Sequence, residues 1–288
     1  MAEYDKLLEE HVPEFENKSE EQGSGGGGFG GVSKVIATAH THGLKQAAGV
    51  IAVAIVVIGA AELLVRVLEV PSYIFPAPSA VVVALVNSIE TIFPHFLYTL
   101  GELAAGYVIG ATIGLILAAV LTQFPYFETI ITPYVILLIT TPSIALVPLL
   151  MMRLGFTVWP RIIAVSLAAG PMVMINAMTG FRRTDMPKIA LARSYGASTF
   201  QIFAKVRFPL ALPMVNVGLL VGGIFGLITA VGADMVGGNM GLGTRLSYYS
   251  SLGLMAEFFG VILLIALIGI SIWLGVSQIN KRWASWTA

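Results

Sequence analysis

Residues 185–213 read DMPKIALARSYGASTFQIFAKVRFPLALP, a polar and basic interruption between two long apolar runs. Asp185 and Pro187 suit the cap and first turn of a helix, where a carboxylate accepts from free N–H groups and proline forfeits no hydrogen bond. Gly196 can break that helix by taking a positive φ. Ser198, with Gln201 three residues on, makes a capping box that opens a second helix. Phe208-Pro209 then ends it, because proline disfavours helical geometry in the residue before it. The spacing predicts a helix–glycine–helix elbow, a costly thing to place between two spans unless something docks against it.

Composition sets the class of the flanking chain. It is 57% hydrophobic and 11% charged, with a mean hydropathy of +0.87. Soluble domains run at roughly 45–50% apolar and 25% charged. Half of the sixteen acids (Glu3, Asp5, Glu9, Glu10, Glu14, Glu16, Glu20 and Glu21) fall in the first 21 residues, so the remainder is poorer still in charge. These numbers describe a polytopic membrane protein. The absence of cysteine excludes disulfides and thiolate metal sites, and zero formal charge with no Lys/Arg-rich block excludes a nucleic-acid partner.

Residues 1–31 combine the acidic run with a Gly/Ser tract and are expected to form a disordered cytoplasmic tail. No basic start with a short apolar core marks a signal peptide, so the first span is expected to be retained. About twenty apolar residues cross a hydrocarbon core roughly 30 Å thick. Six stretches qualify: 47–68, 97–122, 129–152, 161–181, 210–233 and 256–279. The run 80–92 is short and bracketed by Pro76, Pro78 and Pro94, which suits an interfacial or re-entrant helix.

Basic residues orient the spans. With both termini and the elbow inside, the cytoplasmic segments hold Lys6, Lys18, Lys34, Lys45, Arg182, Arg183, Lys188, Arg193, Lys205, Arg207, Lys281 and Arg282. The outer side keeps Arg66, Arg153, Arg161 and Arg245. The elbow is therefore expected in the cytoplasm.

Two spans repeat small residues every fourth position: Gly106, Gly110, Gly114 and Ala118, then Gly218, Gly222, Gly226 and Ala230. Such stripes let helix backbones approach closely, either as ordinary packing or at a surface that slides. Pro142 and Pro148 should bend the third span.

The elbow resembles the signature loop of binding-protein-dependent ABC importer permeases. That loop has a Glu-Ala-Ala triplet, Gly four residues after its last Ala, and Leu-Pro ending thirteen residues later. Here these positions carry Ala190-Leu191-Ala192, Gly196 and Phe208-Pro209, with Ala190 replacing the acid. Phe75-Pro76-Ala77-Pro78-Ser79, Thr141-Pro142-Ser143-Ile144-Ala145-Leu146-Val147-Pro148-Leu149 and Ala233-Asp234 with Gly241-Leu242-Gly243 are similar to the nitrate/sulfonate/taurine/bicarbonate branch.

The resemblance implies an all-α, six-helix type I importer-like permease domain over 32–288 with a coupling elbow at about 185–209. It also implies a bacterial inner membrane, a second permease copy, two ATP-binding subunits and a periplasmic or lipid-anchored solute-binding protein. The implied substrate is a small solute: a small anion such as nitrate, bicarbonate, a sulfonate or an organic carboxylate, or alternatively a heterocyclic vitamin precursor.

The residues agree with a non-catalytic role. No Gly-x-x-x-x-Gly-Lys-Ser/Thr occurs, and the glycines at 25–28 lack a following lysine and a preceding apolar strand. This chain is thus expected to bind no cofactor, with ATP and Mg on the partner ATPase. On the elbow, Ile189, Ala192 and Tyr195, then Phe200, Phe203 and Ala204, are expected to present an apolar face. Arg193, Lys205 and Arg207 form its rim, while Ala190, Gly196, Ser198 and Pro209 set its shape.

Ionisable groups at membrane depth are functional candidates. Glu62, Arg66 and Glu69 suit an interfacial ion network, and His95 suits the interface. Glu102 stands alone on the glycine-lined span, and Asp234 could order the outer loop or meet the binding protein. With Gly110, Pro142 and Gly222 these two complete the translocation-path candidates. His40 and His42 make a poor metal site, and no nucleophile–base pair is visible. An ion-coupled secondary transporter is the alternative of another class, although it leaves the elbow without a use.

Overall fold

The computed structural model describes residues 44–183 and 186–283. The tail 1–31, His40, His42 and the cap position Asp185 lie outside the described residues. The chain divides into two compact units, 1–56 and 57–288. All regular structure among the described residues is helical.

Helix α1, Leu44–Val67, is apolar from Ala47 to Ala61, and Val50, Ile55 and Leu64 are exposed as a lipid-facing helix requires. The described residues of the first unit are its first turns, 44–56. In the second unit come α2 (Pro78–Asn87), α3 (Ile89–Leu121), α4 (Pro125–Thr140), a 3-10 turn (Ser143–Leu146), α5 (Val147–Leu154) and α6 (Trp159–Arg182). The elbow holds α7 (Met186–Ser194), α8 (Thr199–Ile202) and a π-turn (Phe203–Arg207). It is followed by α9 (Phe208–Gly237), α10 (Leu242–Ser251) and α11 (Met255–Trp283). Among the described residues five helices are long and apolar enough to cross a membrane, and a sixth span results if the bent pair Pro125–Thr140 and Ser143–Leu154 is counted as one.

Two boundaries differ from the sequence expectation, and the bend expected in the third span is present as a sharp break. The run 80–92 is split at Ser88, and the second span starts at Ile89 instead of 97, running helical through Pro94. A proline in the second turn forfeits a single N–H bond, and the complete burial of Ile92 holds that turn in place. The third span is broken by 84° between Thr140 and Ser143. Pro142, which has no N–H, occupies the break. The second elbow helix does not stop at Phe208-Pro209: it widens into the π-turn and continues as α9. The wider turn moves the carbonyl that the ring of Pro209 would otherwise strike.

Helix α6 is the centre of the fold. Val165, Ala169, Val173 and Ala177 are all at 0% exposure. Both glycine stripes face it, α3 from one side and α9 from another. A Cβ on Gly110 would lie 2.5 Å from the Ser166 carbonyl, and one on Gly222 would lie 2.8 Å from Val173 Cγ2 and 3.0 Å from the Ala169 carbonyl. Backbone meets backbone at both seams, which gains dispersion contact that lipid does not supply.

Candidate functional site

The elbow closes by local chemistry. Gly196 has φ +77°, and it donates to the Arg193 carbonyl at 2.9 Å while Ala197 donates to Ala192 at 3.1 Å. This pair of bonds is a Schellman ending, which satisfies the last carbonyls of α7 and calls for a residue that tolerates positive φ. Ser198 caps α8: its N–H donates to Gln201 Oε1 at 2.8 Å, and Gln201 N–H donates to Ser198 Oγ at 3.3 Å. Phe208 N–H then reaches back five residues to Phe203, ahead of Pro209.

The elbow is seated by aromatic contact. Phe203 lies 5.1 Å from Phe181, at the end of α6, and 6.4 Å from Phe208. Ile189 and Ile202 are buried. This corrects the expected apolar face: Ile189 turns inward, and half-buried Phe203 belongs to the seat. Six residues turn a helix through about 600°, so Ile189 and Tyr195 could not share one edge. Residues 191 and 195, one turn apart, do. The outward side chains are Leu191 at 59%, Tyr195 at 83% and Phe200 at 79% exposure. Ala190, Arg193 and Ser198 are also exposed, whereas Ala192 and Pro209 are half-buried.

At the end away from the elbow the candidates converge on an unforeseen arginine. Arg161 is 3% exposed, with Glu102 Oε2 at 3.7 Å and Asp234 Oδ1 at 3.9 Å. At those lengths the contacts are ion pairs and not hydrogen bonds. Arg161 also donates to the Tyr98 hydroxyl at 2.6 Å and to the Gly237 carbonyl at 3.4 Å. Thr99 donates to Asp234 Oδ2 at 2.7 Å and accepts the Leu242 N–H at 2.8 Å. His95 Nδ1 accepts the Gly241 N–H at 3.0 Å. The first turn of α10 is thus capped by side chains of α3, and Gly241 (φ +112°) and Gly243 leave room for the Asp234 side chain.

Several expectations change accordingly. Glu102 is not alone, and His95 is buried against the Gly241 backbone. Arg161 is an interior group and not a free outer-loop charge. Asp234, at 0% exposure, orders the outer loop and presents no surface to a docking protein. The Glu62–Arg66 pair forms at 2.6 Å, and Glu62 also accepts from Ser79 N at 2.9 Å and Ser79 Oγ at 2.7 Å, so it caps α2.

Pro142 borders a cavity of about 170 Å³ that opens at the break between α4, α6 and α9. A second cavity of about 210 Å³ lies between α4 and α6 toward the elbow end, with Glu128 paired to Arg182 at its rim. Gly110 and Gly222 line neither cavity, because they are spent in the seams with α6.

Sequence reading missed Arg161, Thr99, the Glu128–Arg182 pair and Leu191. A signal for the first existed: Arg161 opens the fourth apolar stretch, Asp234 follows the fifth, and Glu102 lies five residues into the second. Acids and a base at matched depth in neighbouring spans should pair.

Comparison with known proteins agrees with this architecture. The family described as binding-protein-dependent transport system inner membrane component matches residues 110–284. The formylaminopyrimidine transport permease protein ThiX of Halalkalibacterium halodurans is 26% identical over 215 residues, covering 73% of this chain and 83% of that protein. The putative aliphatic sulfonates transport permease protein SsuC of Bacillus subtilis is 26% identical over 198 residues, covering 68% and 72%. An inward-facing structure of the MetNI methionine ABC transporter shares the fold, with a TM-score of 0.55 and 20% identity over 67% of this chain and 94% of that one.

Proposed function

The chain belongs to the family of binding-protein-dependent transport system inner membrane components, the permeases of ABC importers, and from that premise we propose that two copies enclose a path for a small solute. The solute is handed over by an external binding protein, in a bacterial inner membrane with both termini cytoplasmic. ATP and Mg belong to two partner ATPases, each seated on one elbow, and this chain binds no cofactor. The observation that carries the reading is the elbow: a short helix pair, closed by the Gly196 turn and the Ser198–Gln201 box and wedged by Phe181, Phe203 and Phe208, holds Leu191, Tyr195 and Phe200 outward. Large exposed aromatic side chains are what a partner groove grips most strongly. The relatives' names bracket the cargo between an organic anion such as a sulfonate and a heterocyclic vitamin precursor.

Phe200→Asp and Tyr195→Asp alter exposed side chains and should leave the permease folded and inserted. Co-purifying ATPase is expected to fall by about tenfold or more, as for loss of an interface hot spot. Wild-type ATPase recovery with both variants would refute the docking assignment.

A further inference from the structure

The lining of the cavity at the helix break favours one class of cargo. Helix α4 has 16 residues and is about 24 Å long at 1.5 Å per residue, short of the roughly 30 Å that a span needs. The chain turns aside at Pro142, and the unfinished column leaves the 170 Å³ void beside α6 and α9. A void of about 150 Å³ is large enough to hold benzene.

Every lining residue is uncharged. Phe225 is 43% exposed and offers an aromatic face. Met172 adds a polarizable sulfur. Ser143 and Thr229 bring hydroxyls, that of Thr141 donates to the Leu137 carbonyl at 2.8 Å, and the remaining lining is Leu, Ile and Ala. Pro142 has no N–H to return to the Leu138 carbonyl four residues earlier, so the break supplies a backbone acceptor as well.

The arginines of α6 are committed elsewhere, Arg161 to Glu102 and Asp234 and Arg182 to Glu128. An oxyanion at this depth would lose water without meeting a countercharge, at a cost of several kcal/mol.

We propose that this cavity is a way-station for an uncharged, flat, hydrogen-bonding heterocycle of the aminopyrimidine type, and that it disfavours sulfonates and inorganic oxyanions. Stacking on Phe225 and hydroxyl contacts at the ring edge provide the recognition. This inference rests on the importer reading above and narrows its cargo.

The natural chain has no cysteine, so single thiols can probe the cavity in the full-length protein. Ser143→Cys and Thr229→Cys place one inside it, and Met152→Cys, at a position 85% exposed, is the control. Each is treated with neutral methyl methanethiosulfonate and with its anionic sulfonatoethyl analogue, with or without 4-aminopyrimidine or taurine. The anionic-to-neutral rate ratio at both cavity positions is expected to fall about tenfold or more below the control, because desolvating the sulfonate is uncompensated there. 4-Aminopyrimidine should slow the neutral reagent, and taurine should not. Equal ratios, protection by taurine, no protection by 4-aminopyrimidine, or no labelling of either cavity thiol in folded protein would each overturn the proposal. Failure of the importer reading shows separately, as ATPase recovery that ignores the elbow variants.

Discussion

The two ends of the α3–α6–α9 core are fastened by different chemistry. At the end away from the elbow a guanidinium, two carboxylates, a threonine and a histidine tie three spans to the first turn of α10. At the other end the elbow rests on three phenylalanine rings 5.1 to 6.4 Å apart. Buried ions and hydrogen bonds have narrow distance and angle requirements, so the outer end has one arrangement or none. Aromatic rings stay attractive across a range of tilts and offsets, so the inner end can shift its packing without losing it. The glycine seams between them pack backbone on backbone with little slack.

That contrast can be broken most forcefully at Arg161. Arg161→Met leaves two buried carboxylates without their cation, and removing one partner of a buried pair costs about 3–5 kcal/mol. Thermal unfolding of the purified permease should show a large drop in midpoint or a failure to accumulate. An unchanged midpoint would mean that the network does not hold the outer end.

The seam comes next. Gly110→Leu forces a side chain into the Ser166 backbone, and overpacking of this kind costs about 1–3 kcal/mol. The expected result is lower stability and yield, not an intact complex that has merely lost coupling. A stable Gly110→Leu protein that hydrolyses ATP without uptake would restore the sliding-surface reading of the stripes.

The smallest effect belongs to the aromatic seat. Phe203→Leu keeps bulk and removes a ring, at about 0.5–1.5 kcal/mol. The unfolding midpoint should barely move, while ATPase recovery drops more than stability does. A fall in midpoint matching that of Arg161→Met would erase the distinction between the two ends.

The elbow was readable because its signals are local. Gly196 and the Ser198–Gln201 box act within four residues, and a capped turn means the same in any surroundings. Spans were readable by length and hydropathy, and Pro142 announced the break. The outer network was not, because its members sit at positions 95, 99, 102, 161, 234 and 241 and meet only through tertiary packing. Helix phase caused the error at Ile189, since three-residue spacing over six positions walks off the helix face. Proline rules misjudged Phe208-Pro209, because a tertiary seat stabilised a wide turn that local preference alone would not select.

The π-turn at Phe203–Arg207 also fixes an angle. A turn closed over five residues takes in about one more residue than an α-turn, equivalent to about 100° of rotation about the axis. Continuous α-helix would have delivered Phe200 to a different azimuth around α9. This single loose winding works as a clocking key: it sets the bearing at which the elbow meets whatever lies beneath the membrane, independently of how long or how tilted the span above it is.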